Sequence, residues 1–292
     1  MGPGGGSGGE EGARNLADRM LRLDRRIIFL VIGLCTLLPL LYPVGLPIKI
    51  SNEVRGVYDY IESLPPRAPV LISLDFDPAS KPELYPQAVA ILRHAMRKNL
   101  RVITMTLWVT GTGMAEQVVA KIAKEEGKVS GEDYVFLGWS PGGTAVIINL
   151  GQDLLTTYPT DYAGRVTRDL PVMQGIRSLR DFDYVLCLGA GNPGVEAWYV
   201  FGRDKHKFEL GGGSTGVMAP GLYPLLRSGQ LNGLIGGLRG AAEYETLIGQ
   251  KGSAVAGMDA QSATHLAIVL LVGLCNLFYF WSRRQQRLGE EA

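Results

Sequence analysis

The sequence contains little cysteine, little histidine and almost no net charge. Three cysteines in 292 residues cannot build a disulfide framework. The formal net charge of +1 argues against a nucleic-acid-binding protein, which usually carries a strong basic excess. The three histidines show no spacing to other potential ligands that resembles a zinc site. The 39 glycines form no collagen triplet, and the chain has no internal repeat.

Apolar residues and glycine are abundant instead. Hydrophobic residues make up 46 % of the chain and the mean hydropathy is +0.10, which is too apolar for a disordered protein. With 39 glycines in 292 residues, the glycine content is nearly twice the usual ~7 %. The composition therefore predicts a globular protein, a membrane protein or a chain with both kinds of segment.

Two long apolar runs flank the middle of the chain. The first, Ile27 to Leu46, has 20 residues and no charge, and the second, Ala263 to Trp281, ends in an aromatic belt. About 20 apolar residues in a helix cross the ~30 Å hydrocarbon core of a bilayer. We predict a transmembrane helix for each run. No small-residue cleavage site follows the first run, so we interpret it as an uncleaved signal anchor.

The flanks of these runs predict how the chain is oriented. Residues 1–12 are mostly glycine and predict a flexible tail, and residues 15–26 form a basic amphipathic segment or simply the charged start of the span. Eight basic residues lie on the outer flanks, against Lys49, Arg55 and Lys251 on the inner ones; the eight are Arg14, Arg19, Arg22, Arg25, Arg26, Arg283, Arg284 and Arg287. The positive-inside rule predicts a bacterial cytoplasmic (inner) membrane protein with both termini cytoplasmic, residues 282–292 included.

Residues 47–262 form the predicted extracytoplasmic domain, in which strand and helix patterns alternate. Buried strands are predicted at Val70–Phe76, Val102–Val109, Tyr134–Trp139, Tyr184–Gly189, Lys207–Leu210 and Leu231–Ile235. Helical patterns separate them, including a continuous one at Thr144–Tyr158 and an extra one at Val172–Leu179. The alternation predicts an α/β domain with a Rossmann-like or flavodoxin-like doubly wound parallel sheet, inserted between the two transmembrane helices.

Ligands of such sheets bind beyond the carboxyl ends of the strands, where Asp75 and Asp77 follow the first strand. Two carboxylates at this spacing can chelate a hard cation or share a proton. The loop resembles the nucleophile loop of haloacid-dehalogenase-type phosphatases, but the fourth strand ends in Gly189–Asn192 without the acid those enzymes use for magnesium. The alternative is structural: Asp77 caps a turn before Pro78 and Asp75 holds backbone amides.

The third strand is followed by a G-x-S-x-G pattern centred on Ser140, which is typical of a nucleophile elbow. The next residue is Pro141, which has no N–H to contribute to an oxyanion hole. Asp183 and His206 follow in the order that a triad requires, but Asp183 begins a strand. The alternative is a tight turn in which Ser140 or Thr144 caps the next helix. Gly142 and Gly143 would then lie at a helix N-terminus that can hold an anion.

Two further glycine-rich segments follow later strands. Gly189–Gly194 matches G-x-G-x-x-G and includes Gly191 and Asn192, and Glu209 lies where a ribose-binding acid would stand. The alternative for this segment is a set of tight turns. Gly211–Gly216, which includes Ser214 and Thr215, is predicted as a loop that forms an anion nest, a flexible connection or a subunit contact. His94 is predicted to be exposed on its helix, between basic neighbours.

Three stretches resemble a functionally uncharacterised group of bacterial two-span membrane-anchored α/β proteins: residues 74–107, 131–143 and 228–249. The more specific parts are the Asp75/Asp77 loop with Glu83 and Pro86, and Gly236-Gly237 with Ala241-Ala242-Glu243-Tyr244. The resemblance implies a shared fold and a two-span layout. It implies no catalytic residue.

The candidate loops each lack a partner that catalysis requires, and the domain is held at both ends. We therefore expect a non-enzymatic, self-associating subunit of a membrane assembly, in contact with the bilayer and other membrane proteins, without a cofactor. The first alternative is an extracytoplasmic sensor that binds a ligand or ion through Asp75, Asp77, Ser140 and Thr215. The second alternative is a phosphatase of the haloacid-dehalogenase type or a serine hydrolase.

Overall fold

The computed structural model describes residues 24–290. The predicted glycine-rich tail and most of the basic amphipathic segment lie outside the described residues. The described chain forms two compact units. One unit contains residues 24–45 and 256–290, and the other is Leu46–Val255.

Leu46–Val255 is built on one sheet of six parallel strands. The strands are β1 Pro69–Asp75, β2 Arg101–Thr106, β3 Tyr134–Trp139, β4 Tyr184–Gly189, β5 Leu210–Ser214 and β6 Leu234–Gly236. Their order is β3-β2-β1-β4-β5-β6, so the direction of winding reverses between β1 and β4. The predicted parallel α/β sheet is confirmed, and its strand order is that of the Rossmann arrangement.

Helices connect the strands and cover the sheet. In chain order the helices are α1 Arg25–Leu41, α2 Asn52–Ser63, α3 Lys81–Arg97, α4 Thr112–Glu125, α5 Thr144–Gln152, α6 Leu154–Thr157, α7 Val195–Ala197, α8 Asp204–His206, α9 Ala219–Arg227, α10 Gly237–Leu247 and α11 Ser253–Glu290. A π-helical segment, Trp198–Arg203, joins α7 to α8. The apolar sides of α2, α3, α4 and α10 pack on one face of the sheet, and α5, α6, the α7–α8 segment and α9 pack on the other.

The alternation of side chains along β1 shows why both faces are covered. Val70, Ile72 and Leu74 belong to the core on the α3 face, whereas Leu71 belongs to the core on the α5 face. All seven residues of β1 are buried. A strand that is buried on both faces must be apolar almost throughout, which is why the continuous apolar runs predicted the sheet.

The fifth strand differs from its prediction. β5 is Leu210–Ser214, so the glycines expected in a loop form the strand itself. The reason is close packing: a Cβ on Gly211 would lie 2.0 Å from Tyr184 Oη, and one on Gly213 would lie 2.3 Å from Leu188 Cδ2. Glycine is unfavourable in strands in general, but no other residue fits here.

Two predicted helices also differ. The continuous helix expected at Thr144–Tyr158 divides at Asp153, whose extended backbone ends α5 and whose carboxylate accepts hydrogen bonds from the N–H groups that begin α6. Residues 172–179 contain no α-helix; short 3-10 turns at Pro171–Met173 and Leu179–Asp181 overlap the two ends of this stretch. A side chain that caps a helix competes with continuation of the preceding helix, which explains why the predicted helix divides at Asp153.

The second unit contains α1 and most of α11. The first apolar run forms a helix of 17 residues that ends at Leu41, short of the predicted Leu46, and Pro43 and Pro47 follow it without N–H donors. Within the described residues, one helix is long and apolar enough to cross a bilayer, namely Ser253–Trp281 within α11. Of the two predicted transmembrane helices, the second therefore has a matching helix of sufficient length and hydropathy, and the first does not.

Polar groups join the two helices of this unit. The hydroxyl groups of Thr36 and Thr264 form a hydrogen bond of 2.8 Å, and Asp259 Oδ2 accepts from the backbone N–H of Gly45 at 2.6 Å. Apolar side chains along both helices are exposed, as Leu38 and Leu277 illustrate.

We predict that Gly213→Ala lowers the melting temperature of the full-length protein in detergent. The added methyl group would also lie 2.5 Å from Gln87 Oε1, and overpacking of this kind costs about 1–3 kcal/mol. The matched control is Gly221→Ala in α9, where a Cβ meets nothing within 4 Å and alanine favours the helix by up to about 1 kcal/mol. Equal melting temperatures for both variants would contradict the proposed packing constraint.

Candidate functional site

The carboxylate of Asp75 is fully buried at the end of β1, beside the reversal in strand order. Its Oδ1 accepts from the backbone N–H of Leu107 at 2.6 Å, and its Oδ2 accepts from Ser73 Oγ at 2.7 Å and Trp198 Nε1 at 3.3 Å. Cys187 Sγ is 3.4 Å from the same Oδ2. Asp75 thus connects β1 to the residue after β2, to β4 and to the helical segment after β4.

Burial raises the pKa of Asp75 to about 6, because desolvation disfavours the charged carboxylate. The hydrogen bonds from Leu107, Ser73, Cys187 and Trp198 act in the opposite direction and stabilise the charged form. Burial, followed by the nearby carboxylate, raises the pKa of the Cys187 thiol. Asp75 therefore changes its protonation state in the weakly acidic range while Cys187 stays a thiol.

Asp77 has different partners. Its Oδ1 accepts from the backbone N–H of Ser80 at 3.1 Å and from Ser80 Oγ at 2.8 Å, and these bonds lower its pKa. Asp77 thus closes the turn that contains Pro78, and the two carboxylates satisfy separate sets of donors. The described residues contain no group of three or more His, Cys, Asp or Glu side chains that could hold a metal ion.

A cavity of about 240 Å³, hereafter the first cavity, lies at the carboxyl ends of β4 and β5. Its walls are apolar and come from the segment after β4 and from α9; they include Val195, Val200, Phe201, Met218 and Leu222. Its polar lining comes from the G-x-G-x-x-G loop, from the exposed Glu196 and from Ser214. Ser214 is in register with Gly189 at the end of the neighbouring strand. The structure therefore brings Gly191, Asn192 and Ser214 together, as candidate residues of one cavity.

Two polar features of the first cavity lack partners. Ser214 is fully buried, and its hydroxyl has no hydrogen-bond partner among the described residues. The backbone N–H groups of Gly191, Asn192 and Gly194 donate to no acceptor in the described part of the chain. A buried polar group without a partner costs about 1–3 kcal/mol, so the Ser214 hydroxyl requires a functional or structural explanation, whereas Asn192 is exposed to solvent.

Side chains from α3 hold the end of β5 in place. Gln87 Nε2 donates to the carbonyl oxygens of Ser214 at 3.0 Å and Gly237 at 3.1 Å. Glu83 Oε2 accepts from the backbone N–H of Gly216 at 2.7 Å. These contacts connect α3 to the loops after β5 and β6. They bring Glu83 close to the turn at Gly237, although the two residues are far apart in the sequence.

The dinucleotide-binding interpretation of the G-x-G-x-x-G loop is not supported by the position of Glu209. This residue immediately precedes β5, whereas the loop follows the parallel strand β4, so the two lie at opposite ends of the sheet. Five residues of strand separate them by roughly 17 Å along the strand direction. A carboxylate at the amino end of β5 cannot contact a ribose bound at the carboxyl end.

No family model, curated protein or solved structure matches this chain. The assignment of a site therefore depends on the geometry of the chain itself.

Ser140 lines another cavity, of about 510 Å³, which follows β3 and is hereafter called the second cavity. The predicted capping of α5 by Ser140 or Thr144 is wrong, because Gly143 is the N-cap and no side chain caps this helix. Gly142 and Gly143 both have positive φ and form the turn into α5. The predicted anion-binding role of this turn remains a prediction.

The other predicted site residues do not assemble with Ser140. Asp183 precedes β4 and donates its N–H to the carbonyl of Pro69, at the amino end of the sheet, whereas Ser140 follows the carboxyl end of β3. Thr215 starts the turn into α9, where its carbonyl accepts from the N–H groups of Met218 and Ala219. A Ser140–His206–Asp183 triad is therefore not formed in this structure.

Sequence reasoning missed a buried polar cluster around His94. This residue was predicted to be exposed but is 4 % exposed, and its Nδ1 lies 2.8 Å from Tyr244 Oη while its Nε2 lies 2.9 Å from Glu62 Oε1. Tyr58 stacks on its ring, and burial lowers the pKa of His94. Its basic neighbours suggested a solvated face, but only Arg97 is exposed, whereas Arg93 is buried and paired with Glu125 and Glu126. The local sequence pattern therefore did not reveal that His94 faces α2 and α10.

We predict that Asp75→Asn flattens the pH dependence of thermal stability. Below about pH 4, Asp75 is protonated in both the folded and the unfolded chain, and its favourable contribution to the free energy of unfolding is fully present. That contribution is lost as the pH rises through the folded pKa of about 6. The shift of the pKa from 3.8 in the unfolded chain to about 6 in the folded chain corresponds to about 3 kcal/mol.

The measurement is the melting temperature of wild type and Asp75→Asn in detergent from pH 4 to pH 8. The wild-type value should fall relative to the variant as the pH rises to about 7, whatever the absolute stability of the variant. Parallel curves over this range would show that Asp75 does not titrate as described.

Proposed function

We propose that Leu46–Val255 is a ligand-binding domain whose first cavity takes a small organic molecule at the carboxyl ends of β4 and β5. The observation that carries this proposal is the fully buried hydroxyl of Ser214, which lines the cavity without a partner among the described residues. Sites of this kind occur where the strand order of an open α/β sheet reverses, and β4 borders that reversal.

The lining suggests the chemistry of the ligand. The Ser214 hydroxyl and the unpaired N–H groups of Gly191, Asn192 and Gly194 are donors, so the ligand should present an oxygen acceptor such as a carboxylate or a phosphate. The cavity lining contains no lysine or arginine, its one charged residue is Glu196, and its remaining walls are apolar. We therefore propose an oxygen-bearing head group on a small apolar body, bound without catalysis.

We also propose that the domain is attached to a bilayer, with α1 and α11 in the membrane and both termini in the cytoplasm. Support comes from the apolar segment Ser253–Trp281 and from the eight basic residues on the outer flanks against three on the inner flanks. The crossing of α1, which has 17 residues, depends on the uncharged run Ile27–Leu46 of which it is the helical part. Self-association through the membrane helices remains a prediction; Gly33 and Gly273 leave open space beside them that a second helix could occupy.

A test of binding uses Ser214→Ala in the full-length protein. The substitution removes an unpartnered hydroxyl, so the melting temperature without ligand should stay equal or rise. A screen with small carboxylates and phosphate monoesters should find compounds that raise the wild-type melting temperature, and Ser214→Ala should reduce that shift by at least half.

The matched control for this test is Ser228→Ala, which removes an exposed hydroxyl at the end of α9 that is bonded to Pro224 and Leu225 carbonyls. This control should leave the ligand-induced shift unchanged. A screen without any stabilising compound, or a shift that survives in Ser214→Ala, would argue against the proposed site.

A test of the membrane arrangement uses reporter fusions at the C-terminus in a bacterial host. We expect a fused green fluorescent protein to fluoresce and a fused alkaline phosphatase to be inactive, since the C-terminus is proposed to be cytoplasmic. The same reporters after Gln250, which lies between α10 and α11, should give the opposite pattern. An active phosphatase at the C-terminus would overturn the proposed orientation.

A further inference from the structure

One side of α11 carries a row of exposed residues, hereafter the heptad stripe, that the proposed function does not explain. Its members alternate at spacings of three and four residues, which keeps them on one side of a helix. They are Ser262, Leu266, Val269, Gly273, Asn276 and Phe280. All are exposed, and the three large apolar side chains among them are 61 %, 67 % and 66 % exposed. This spacing is typical of helices that pack against a parallel partner helix.

The heptad stripe lies on the side of α11 that faces away from α1. Thr264 bonds to Thr36 on α1, and the half-buried Leu271 lies two helical turns further along the same side. Two residues along a helix correspond to a rotation of roughly 200°, so Gly273 points to the side opposite Leu271. Within the described residues, α1 therefore covers one side of α11 and leaves the heptad stripe exposed.

Asn276 is the member of the stripe that lipid cannot satisfy. Lipid chains cover exposed apolar side chains, but Asn276 carries the only amide or charged side chain between Leu266 and Trp281. Its amide forms no hydrogen bond within the described chain. It lies seven residues before Arg283, roughly 10 Å along the helix axis, which is too far for a short side chain to reach the head groups. An unpaired amide is unfavourable in hydrocarbon, so this side chain requires a polar partner within the membrane.

We propose that α11 packs in parallel against α11 of a second copy of the chain, with the two Asn276 amides hydrogen-bonded to each other. A carboxamide contains both donor and acceptor groups, so it complements an identical copy of itself. Copies inserted in the same orientation hold Asn276 at the same depth, and a two-fold contact brings this residue against itself. Gly273 lies one turn away and permits close approach, since a Cβ there meets nothing within 4 Å. This inference rests on the membrane attachment proposed above.

The experiment measures energy transfer between donor-labelled and acceptor-labelled copies of the full-length protein in phosphatidylcholine vesicles, over a series of protein-to-lipid ratios. We expect transfer that decreases as lipid dilutes the protein, which gives an association constant. Asn276→Leu should weaken association by about threefold or more, because it removes the hydrogen bonds between the copies. Asn276→Gln keeps the amide group and should retain most of the association.

The matched control combines Asn276→Leu with Leu274→Asn, which moves the amide out of the heptad stripe at nearly the same depth. Its association should stay as weak as that of Asn276→Leu. Equal association of Asn276→Leu and wild type would overturn the proposal. So would a wild-type protein that resists extraction by alkaline carbonate, and is therefore in the bilayer, yet shows no transfer at any ratio. Release of the protein by carbonate would instead refute the membrane attachment, and this inference with it.

Discussion

The buried carboxylate of Asp75 is the interaction on which the arrangement of the first cavity depends. It accepts hydrogen bonds from Leu107 and Trp198, and the backbone carbonyl of the same residue accepts from the N–H of Ala190 in the glycine-rich loop. One residue at the end of the central strand thus positions the residue after β2, the loop after β4 and the helical segment that supplies the cavity wall. Because a buried carboxylate must be protonated or well paired, its network tolerates few alternatives.

A second constraint comes from the glycines of β5. Their missing side chains let Leu188 and Gln87 pack directly against the strand backbone, and Gln87 then holds the carbonyls of Ser214 and Gly237. The same packing leaves the side chain of Ser214 on the opposite face, at the cavity. The hydroxyl that carries the proposed function is therefore placed by the packing on the other side of the sheet, and its own partner is missing within the described chain.

The strands β3 and β4 were predicted with their observed bounds because each is an apolar run with clear turn residues around it. β5 was misplaced because glycine carries no apolar pattern. The need for glycine arises from side chains that are distant in the chain, Tyr184 and Leu188 on β4 and Gln87 on α3. Helix α5 was predicted too long because Asp153 can either continue a helix or cap the next one, and its local sequence permits both. The chemistry of Asp75 also depended on residues distant in the chain, since Cys187 and Trp198 bury it from β4 and the segment after it.

The sequence by itself determined the class of the domain, because apolar period and strand–helix alternation are local properties that the chain must show to bury both faces of a parallel sheet. It also determined that the chain has a long apolar C-terminal helix. Only the tertiary structure decided which polar residues meet. It separated Asp77 from Asp75 and placed Glu209 at the wrong end of the sheet, and it brought Ser214 to the glycine-rich loop after β4. The physical reason is that strand order and register set these distances, and neither is encoded in the spacing of residues along the chain.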